Sequence, residues 1–288
     1  MYDTHCDKIV PGDNVIIGLG DSFTQGVGTY SLETWASIPE KPSTYNISGQ
    51  LFLEEQGQNN YIRQLVNNHL PGYKTFNLGI NGAGNRGAIK ELYLNPLPNN
   101  LNNVVVILMC SGIERFDFLK KDDESAGINW HQKWQTIFPC ITDRGVISEV
   151  DKAYFTRIYT PRGDAIEFLM NIKDAENFCK AHGYKFVFAS AFDRFVNKDL
   201  LKEQLANKDY LIDMIDWNNF ISTGDFYAII DMVNQLECEP LQMWELHKRM
   251  YDRKMPTKYI TPCCHWSKEG AKYVANFIFK ELQKRELV

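Results

Sequence analysis

The amino-acid sequence predicts an α/β fold in which a parallel sheet is covered by helices, and three observations carry that expectation. Short β-rich runs alternate with helical patterns along the chain. The run Val104-Val105-Val106-Ile107-Leu108-Met109 is apolar at every position, as a central strand buried on both faces requires. Near the C-terminus Ala271, Val274, Ala275, Ile278 and Leu282 recur at three- and four-residue steps, with lysines and glutamates on much of the other face.

In chain order, residues 15–19 form the first expected strand and residues 75–78 a short second one. Residues 104–109 are the third strand and residues 184–189 the fourth. Helical stretches lie between them at 60–69 and at 165–182, the latter closed by Gly183, and the last helix spans 268–287. Three segments interrupt the rhythm. Those at 29–57 and 122–150 are polar and punctuated by Gly and Pro, which favours loops with short elements; that at 197–258 holds enough Leu, Ile, Met and Trp for two or three helices. With no internal repeat and no linker composition, the chain reads as one domain over 1–288 with these insertions.

Composition narrows the function classes. With 288 residues, 44% of them hydrophobic, the chain is long enough for a large core or a core plus an insertion. A formal net charge of -5 and the lack of a dense Lys/Arg run argue against a nucleic-acid partner. No run approaches the roughly 18 apolar residues of a membrane span. Residues 1–8 lack a basic leader followed by an apolar stretch, so no signal peptide is expected, and seven cysteines without framework spacing favour reduced thiols and cytoplasmic synthesis.

The chemistry concentrates in four blocks. Gly20-Asp21-Ser22-Phe23, directly behind the first strand, puts a hydroxyl on a tight strand-to-helix turn. All three leading residue types also favour plain turns. Thr24 stands where an α/β-hydrolase elbow would have its second glycine, and Phe23 stands where a dinucleotide fingerprint needs its third. The second block, Asn77-Leu78-Gly79-Ile80-Asn81-Gly82-Ala83-Gly84-Asn85, follows a strand and lets backbone approach a reacting oxygen. The third, from Cys110 through Ser111, Gly112, Glu114 and Arg115 to Asp117, contains no asparagine. The fourth, Pro262-Cys263-Cys264-His265-Trp266-Ser267, places His265 on a loop before the last helix; its adjacent Cys-Cys-His is a poor metal cage, and the chain has no Cys-x-x-Cys. Trp35, Trp130, Trp134, Trp217 and Trp244 lie in the insertions as candidates for a sugar platform, an acyl pocket or the insertions' own core.

Gly-Asp-Ser near the N-terminus, the Asn-x-Gly-x-x-Gly block and the late His-Trp-Ser resemble the SGNH (GDSL) hydrolase family, in order, across the whole chain. The resemblance implies a three-layer α/β/α sandwich with a parallel, flavodoxin-like central sheet and its site at the carboxyl ends of the strands. It implies hydrolysis of a carboxylic ester, with Ser22 as nucleophile, His265 as general base and the N–H groups of Ser22 and Gly82 as the oxyanion hole, and no cofactor or metal. The chain departs from the family twice. The third-block asparagine donor is absent, a loss worth about 3 kcal/mol of transition-state stabilisation if nothing replaces it; Arg115 is the nearby cation that could substitute or bind a substrate carboxylate, unless it pairs with Glu114 or Asp117 at the surface. Position 262 is proline where the family's orienting aspartate would stand, leaving a Ser-His dyad whose third role is open, with a backbone carbonyl near Thr261 or Pro262, Asp252 or Glu269 as candidates. Small O-acyl groups on a carbohydrate lead the substrate classes, ahead of lipid or thioester acyl chains. The alternative is a non-catalytic SGNH-like module that binds glycans or builds a particle. Some phage-encoded proteins look similar, with Gly-Asp-Ser-Phe-Thr, a Gly-x-Gly-Asn loop and His-Trp-Ser, a likeness that hints at a viral source only and leaves virion association as one option beside cytoplasmic synthesis.

Overall fold

The runs that are apolar at every position become a parallel sheet because only a strand covered on both faces can bury them all. The structure is a computed structural model and describes residues 6–27, 29, 57–80, 83–119, 134–137, 149–192, 196–205, 209–224, 228–236, 258–260 and 265–288. Strands β1 (Asn14–Gly20), β2 (Tyr73–Asn77) and β3 (Asn103–Cys110) pair in parallel, joined at the far edge by a strand at Lys185–Ser190. β1 is central, with Val15 opposite Lys74 on one side and opposite Val104 on the other. An antiparallel pair of strands follows β3, made of β4 (Phe116–Leu119) and β5 (Trp134–Ile137), so that the last sheet strand is β6. The sheet order is β2-β1-β3-β6.

Strand alternation divides the core in two. Val15, Ile17 and Leu19 of β1, with Val104, Val106 and Leu108 of β3 and Phe186 and Phe188 of β6, face one layer of helices. Ile16, Val105, Ile107, Met109, Val187 and Ala189 face the other. The short helix α1 (Ser22–Gln25) follows β1, and α2 (Tyr61–His69) precedes β2. On the first face lie α3 (Asn85–Leu94) and, after β4, β5 and α4 (Glu149–Arg157), the long helix α5 (Pro161–His182). The insertion at 197–258 contributes α6 (Lys198–Leu205) and α7 (Asp209–Asp213) to that face and α8 (Ile229–Asn234) to the other. The last helix, α9 (Lys268–Lys284), packs beside α2 on the second face, with Ala271, Val274, Ala275, Ile278 and Leu282 all buried. Full burial of Ile278 or Leu282 stabilises the fold by about 1.5–3 kcal/mol each. The architecture is the expected α/β arrangement, a four-stranded parallel sheet between helical layers.

Local chemistry sets the ends of these elements. Asn60 caps α2 by accepting from Arg63 N, and Thr160 caps α5 by accepting from Gly163 N, with Pro161 in the first turn. Gly183 closes α5 at φ 70, a left-handed conformation that glycine adopts without penalty. Trp217 packs on Phe188 and Phe220 and donates its indole N–H to Ile212 O, so it belongs to the core under β6. Trp35, Trp130 and Trp244 lie outside the described residues, as does most of the segments 29–57 and 122–150.

The chain leaves β1 for β2 on one side and then crosses to β3 on the other. In open α/β sheets a reversal of this kind opens a crevice beyond the carboxyl ends of the two strands. The turns after β1 and β3 therefore become neighbours, and both carry chemistry.

Candidate active site

β1 ends at Gly20, whose φ of 147 and close approach to β3 suit glycine alone; a Cβ there would stand 2.6 Å from the Met109 carbonyl oxygen. Asp21 then caps α1, its Oδ1 accepting from Phe23 N at 3.1 Å. The Gln25 N–H donates to Asp21 O and the Gly26 N–H to Ser22 O, which fixes the turn. Thr24 is fully buried and its hydroxyl donates back to Leu19 O at 3.2 Å. Ser22 thus opens a short helix at the carboxyl end of the central strand.

His265 comes from the other end of the chain. Its neighbours are fixed by an isolated antiparallel bridge between Ile260 and Trp266, by Ser267 N donating to Tyr259 O at 2.8 Å, and by Ser267 Oγ accepting from Gly270 N to cap α9. Trp266 wedges between Phe23 and Tyr61, with ring centroids 4.8 and 5.9 Å away. The imidazole lies 4.7 Å from the Phe23 ring, and its Nε2 is 2.6 Å from Ser22 Oγ. Ser22 and His265 are both buried. With the ring proton on Nδ1, Nε2 accepts the Ser22 hydroxyl proton, which is the arrangement that activates a serine.

The glycine block is bound tightly to the nucleophile turn. Asn77 Nδ2 donates to Thr24 O at 2.7 Å while its Oδ1 accepts from Gly79 N at 3.0 Å, and Ile80 N donates to Gly20 O. Gly82, the expected oxyanion donor, lies outside the described residues, as do Asp252 and residues 261–264, including Pro262. Glu269 is exposed in the first turn of α9.

The turn after β3 does not leave Arg115 at the surface with Glu114 or Asp117. Its Nη1 donates to Asp21 Oδ2 at 2.8 Å and to Ala83 O at 3.1 Å, and its guanidinium carbon stands 4.6 Å from the centre of the Phe192 ring. Asp21 is fully buried. Burial pushes its carboxyl above the ordinary value, and the Arg115 charge is the largest influence pulling it back down.

Two residues to which sequence reasoning assigned no part in holding the site also tie these blocks together. Asn85 accepts from Ser111 N at 2.9 Å and donates to Ser111 O at 3.2 Å, so an asparagine of the second block holds the third. Asp117 is buried and accepts from Gly84 N at 2.9 Å, Gly87 N at 2.7 Å and Thr136 Oγ1 at 2.6 Å. The only sequence signal for either is position: Asn85 directly follows Gly84 at the start of α3, and Asp117 begins a short β run.

Among the described residues no three His, Cys, Asp or Glu side chains gather to hold a metal ion, and no helix is long and apolar enough to cross a membrane.

No protein-family model and no curated protein matches this chain. Among solved structures the chain is similar to a carbohydrate esterase described as having divergent catalytic and non-catalytic binding functions, at 12% identity and a TM-score of 0.45, over 96% of this chain and 67% of the other. It is also similar to the acetylxylan esterase Axe2 from Geobacillus stearothermophilus, at 13% identity and a TM-score of 0.41, over 95% of each chain. These likenesses concern the general course of the backbone, and the roles considered for Ser22 and His265 rest on their own geometry.

Proposed function

We propose that this protein is a serine esterase that hydrolyses a carboxylic ester through Ser22 and His265. The observation that carries the reading is the 2.6 Å contact between Ser22 Oγ and His265 Nε2 at the carboxyl end of a central parallel strand. Ser22 Oγ attacks the acyl carbon while His265 takes its proton, and the protonated imidazole returns that proton to the departing alcohol. Water, deprotonated by His265, then releases the acid from the acyl-enzyme and restores Ser22. The Ser22 and Gly82 backbone N–H groups are proposed to stabilise the tetrahedral oxyanion. The reaction needs no cofactor. The SGNH resemblance favours a small O-acyl group, acetyl above all, on a carbohydrate as the substrate, within one domain spanning the chain.

The test is labelling with a fluorophosphonate probe, followed by peptide mass spectrometry, alongside hydrolysis of an aryl acetate and of O-acetylated oligosaccharides. An adduct on Ser22 that disappears in His265→Ala is the expected result. Pro262 and the missing third-block asparagine favour a second reading, a glycan-binding or particle-building module. Absence of any adduct on folded protein, with binding on a glycan array, would replace the esterase by that module.

A further inference from the structure

The site is assembled from segments far apart in the chain, and one side chain touches three of them. Arg115, in the turn after β3, donates from one nitrogen to the Asp21 carboxylate of the nucleophile turn at 2.8 Å and to the Ala83 carbonyl of the glycine block at 3.1 Å. Its guanidinium also lies 4.6 Å from the ring centre of Phe192, in the segment after β6. Asp21 passes the constraint on. One carboxylate oxygen receives Arg115 and the other receives Phe23 N, so the carboxylate is gripped on both sides immediately before Ser22.

We infer that Arg115 is a positioning residue which, acting through Asp21 and Ala83, fixes the nucleophile turn against the glycine block so that Ser22 meets the acyl carbon and the oxyanion donors in register. The inference rests on the esterase reading. It differs from the sequence-level expectation that Arg115 contacts substrate or oxyanion, because its guanidinium is engaged by Asp21 and Ala83 and its side chain is only 16% exposed. A buried ion pair returns little net stability once desolvation is counted, so its effect here lies in geometry. Small displacements of positioned groups cost large factors in rate because the reacting atoms must be held close to their attack geometry.

The experiment compares full-length wild type with R115Q, R115K, D21N and the D21N/R115Q double variant, each checked for folding by circular dichroism. Three readouts are taken: the fluorophosphonate labelling rate, and kcat and KM for a neutral aryl acetate. In R115Q, kcat and the labelling rate are expected to fall about 30–100-fold with KM within about twofold, since the lost interaction orients and does not bind. R115K should recover part of the rate, because both of these hydrogen bonds leave a single nitrogen. Since Arg115 acts through Asp21, the double variant should lose no more than the worse single variant. Losses that add, or a KM that rises while kcat holds, would make Arg115 a substrate contact and overturn the inference. An R115Q rate within threefold of wild type would overturn it as well. If R115Q does not fold, R115K is read by the same split between kcat and KM. A wild-type protein that neither labels nor turns over ester would overturn the esterase reading itself, and this inference with it.

Discussion

Ser22 Oγ and His265 Nε2 stand 2.6 Å apart although the two residues are separated by 243 positions in the chain. The parallel sheet holds Ser22 at the end of β1, and the bridge between Ile260 and Trp266 turns the chain so that His265 reaches it before α9 begins. Phe23 forms the wall behind the imidazole, with its ring centroid 4.7 Å from that of His265. The pair is preorganised by packing, so its removal should be read in rate and not in folding. Ser22→Ala and His265→Gln are each expected to lower aryl acetate turnover at least about a thousandfold, and the double variant no further, as members of one catalytic unit do. Steady-state turnover and thermal melting of the three variants check this. Losses that multiply would separate the two residues functionally.

Gly79 is expected to be irreplaceable for a steric reason. A Cβ at this position would stand 2.7 Å from the Thr24 carbonyl carbon, with Gln25 N closer still. Both are backbone atoms held by the α1 turn, and neither can move aside cheaply. Gly79→Ala should therefore cost about 1–3 kcal/mol of stability and push the glycine block away from the nucleophile. The measurement is urea denaturation together with the fluorophosphonate labelling rate. Unaltered labelling in a destabilised Gly79→Ala protein would show that the block does not need this close approach.

Much of the frame was readable because burial on both faces leaves a strand only one kind of sequence. β1, β3 and β6 are apolar at successive positions, and α9 shows its buried stripe in Ala271, Val274, Ala275, Ile278 and Leu282. α3 was not readable, since Gly84 offers no side-chain cap and the first-turn donors are satisfied by Asp117, thirty residues downstream of Gly87. β4 and β5, of four residues each, are too short to carry a pattern. Arg115 was read against its sequence neighbours Glu114 and Asp117, yet it forms an ion pair with Asp21. The reason is topological: Gly20 and Met109 are paired in β1 and β3, so the turns that follow these strands emerge side by side. Pairing across a parallel sheet leaves no trace in local spacing.

Asp117 should be the cap on which the glycine block depends. Its carboxylate receives two backbone N–H groups from the start of α3, where the helix dipole favours negative charge, and a hydroxyl from Thr136. Asp117→Ala leaves the Gly84 and Gly87 donors buried without that acceptor and is expected to destabilise the protein by about 2–4 kcal/mol. Asp117→Asn, which keeps the shape and loses the charge, should cost less. Chemical denaturation of both variants decides it. Equal and small losses would mean that water reaches these donors, and that the cap is not structural.

Asp164 gives the fold a pH dependence of defined sign. It sits buried in the first turn of α5, within 3.3 Å of the Tyr154 hydroxyl that donates to it. Burial pushes its carboxyl from 3.8 up to about 7; the hydrogen bond from Tyr154 opposes the rise, and Glu114 and Glu167 add to it. A carboxyl with a higher pKa folded than unfolded binds its proton more tightly in the native state. Its contribution to stability is therefore fully present below about pH 4 and is lost as pH rises through about 7. Asp164→Asn fixes the neutral form, and Asn Oδ1 can still accept from Tyr154. At pH 8 the variant should be more stable than wild type by about 1–2 kcal/mol, a value below the full shift because nearby solvent screens the charge. At pH 4 the difference should vanish. Denaturation midpoints of the two proteins across this range provide the check. Curves that stay parallel would show that the folded protein solvates the charged Asp164 as well as the unfolded chain does.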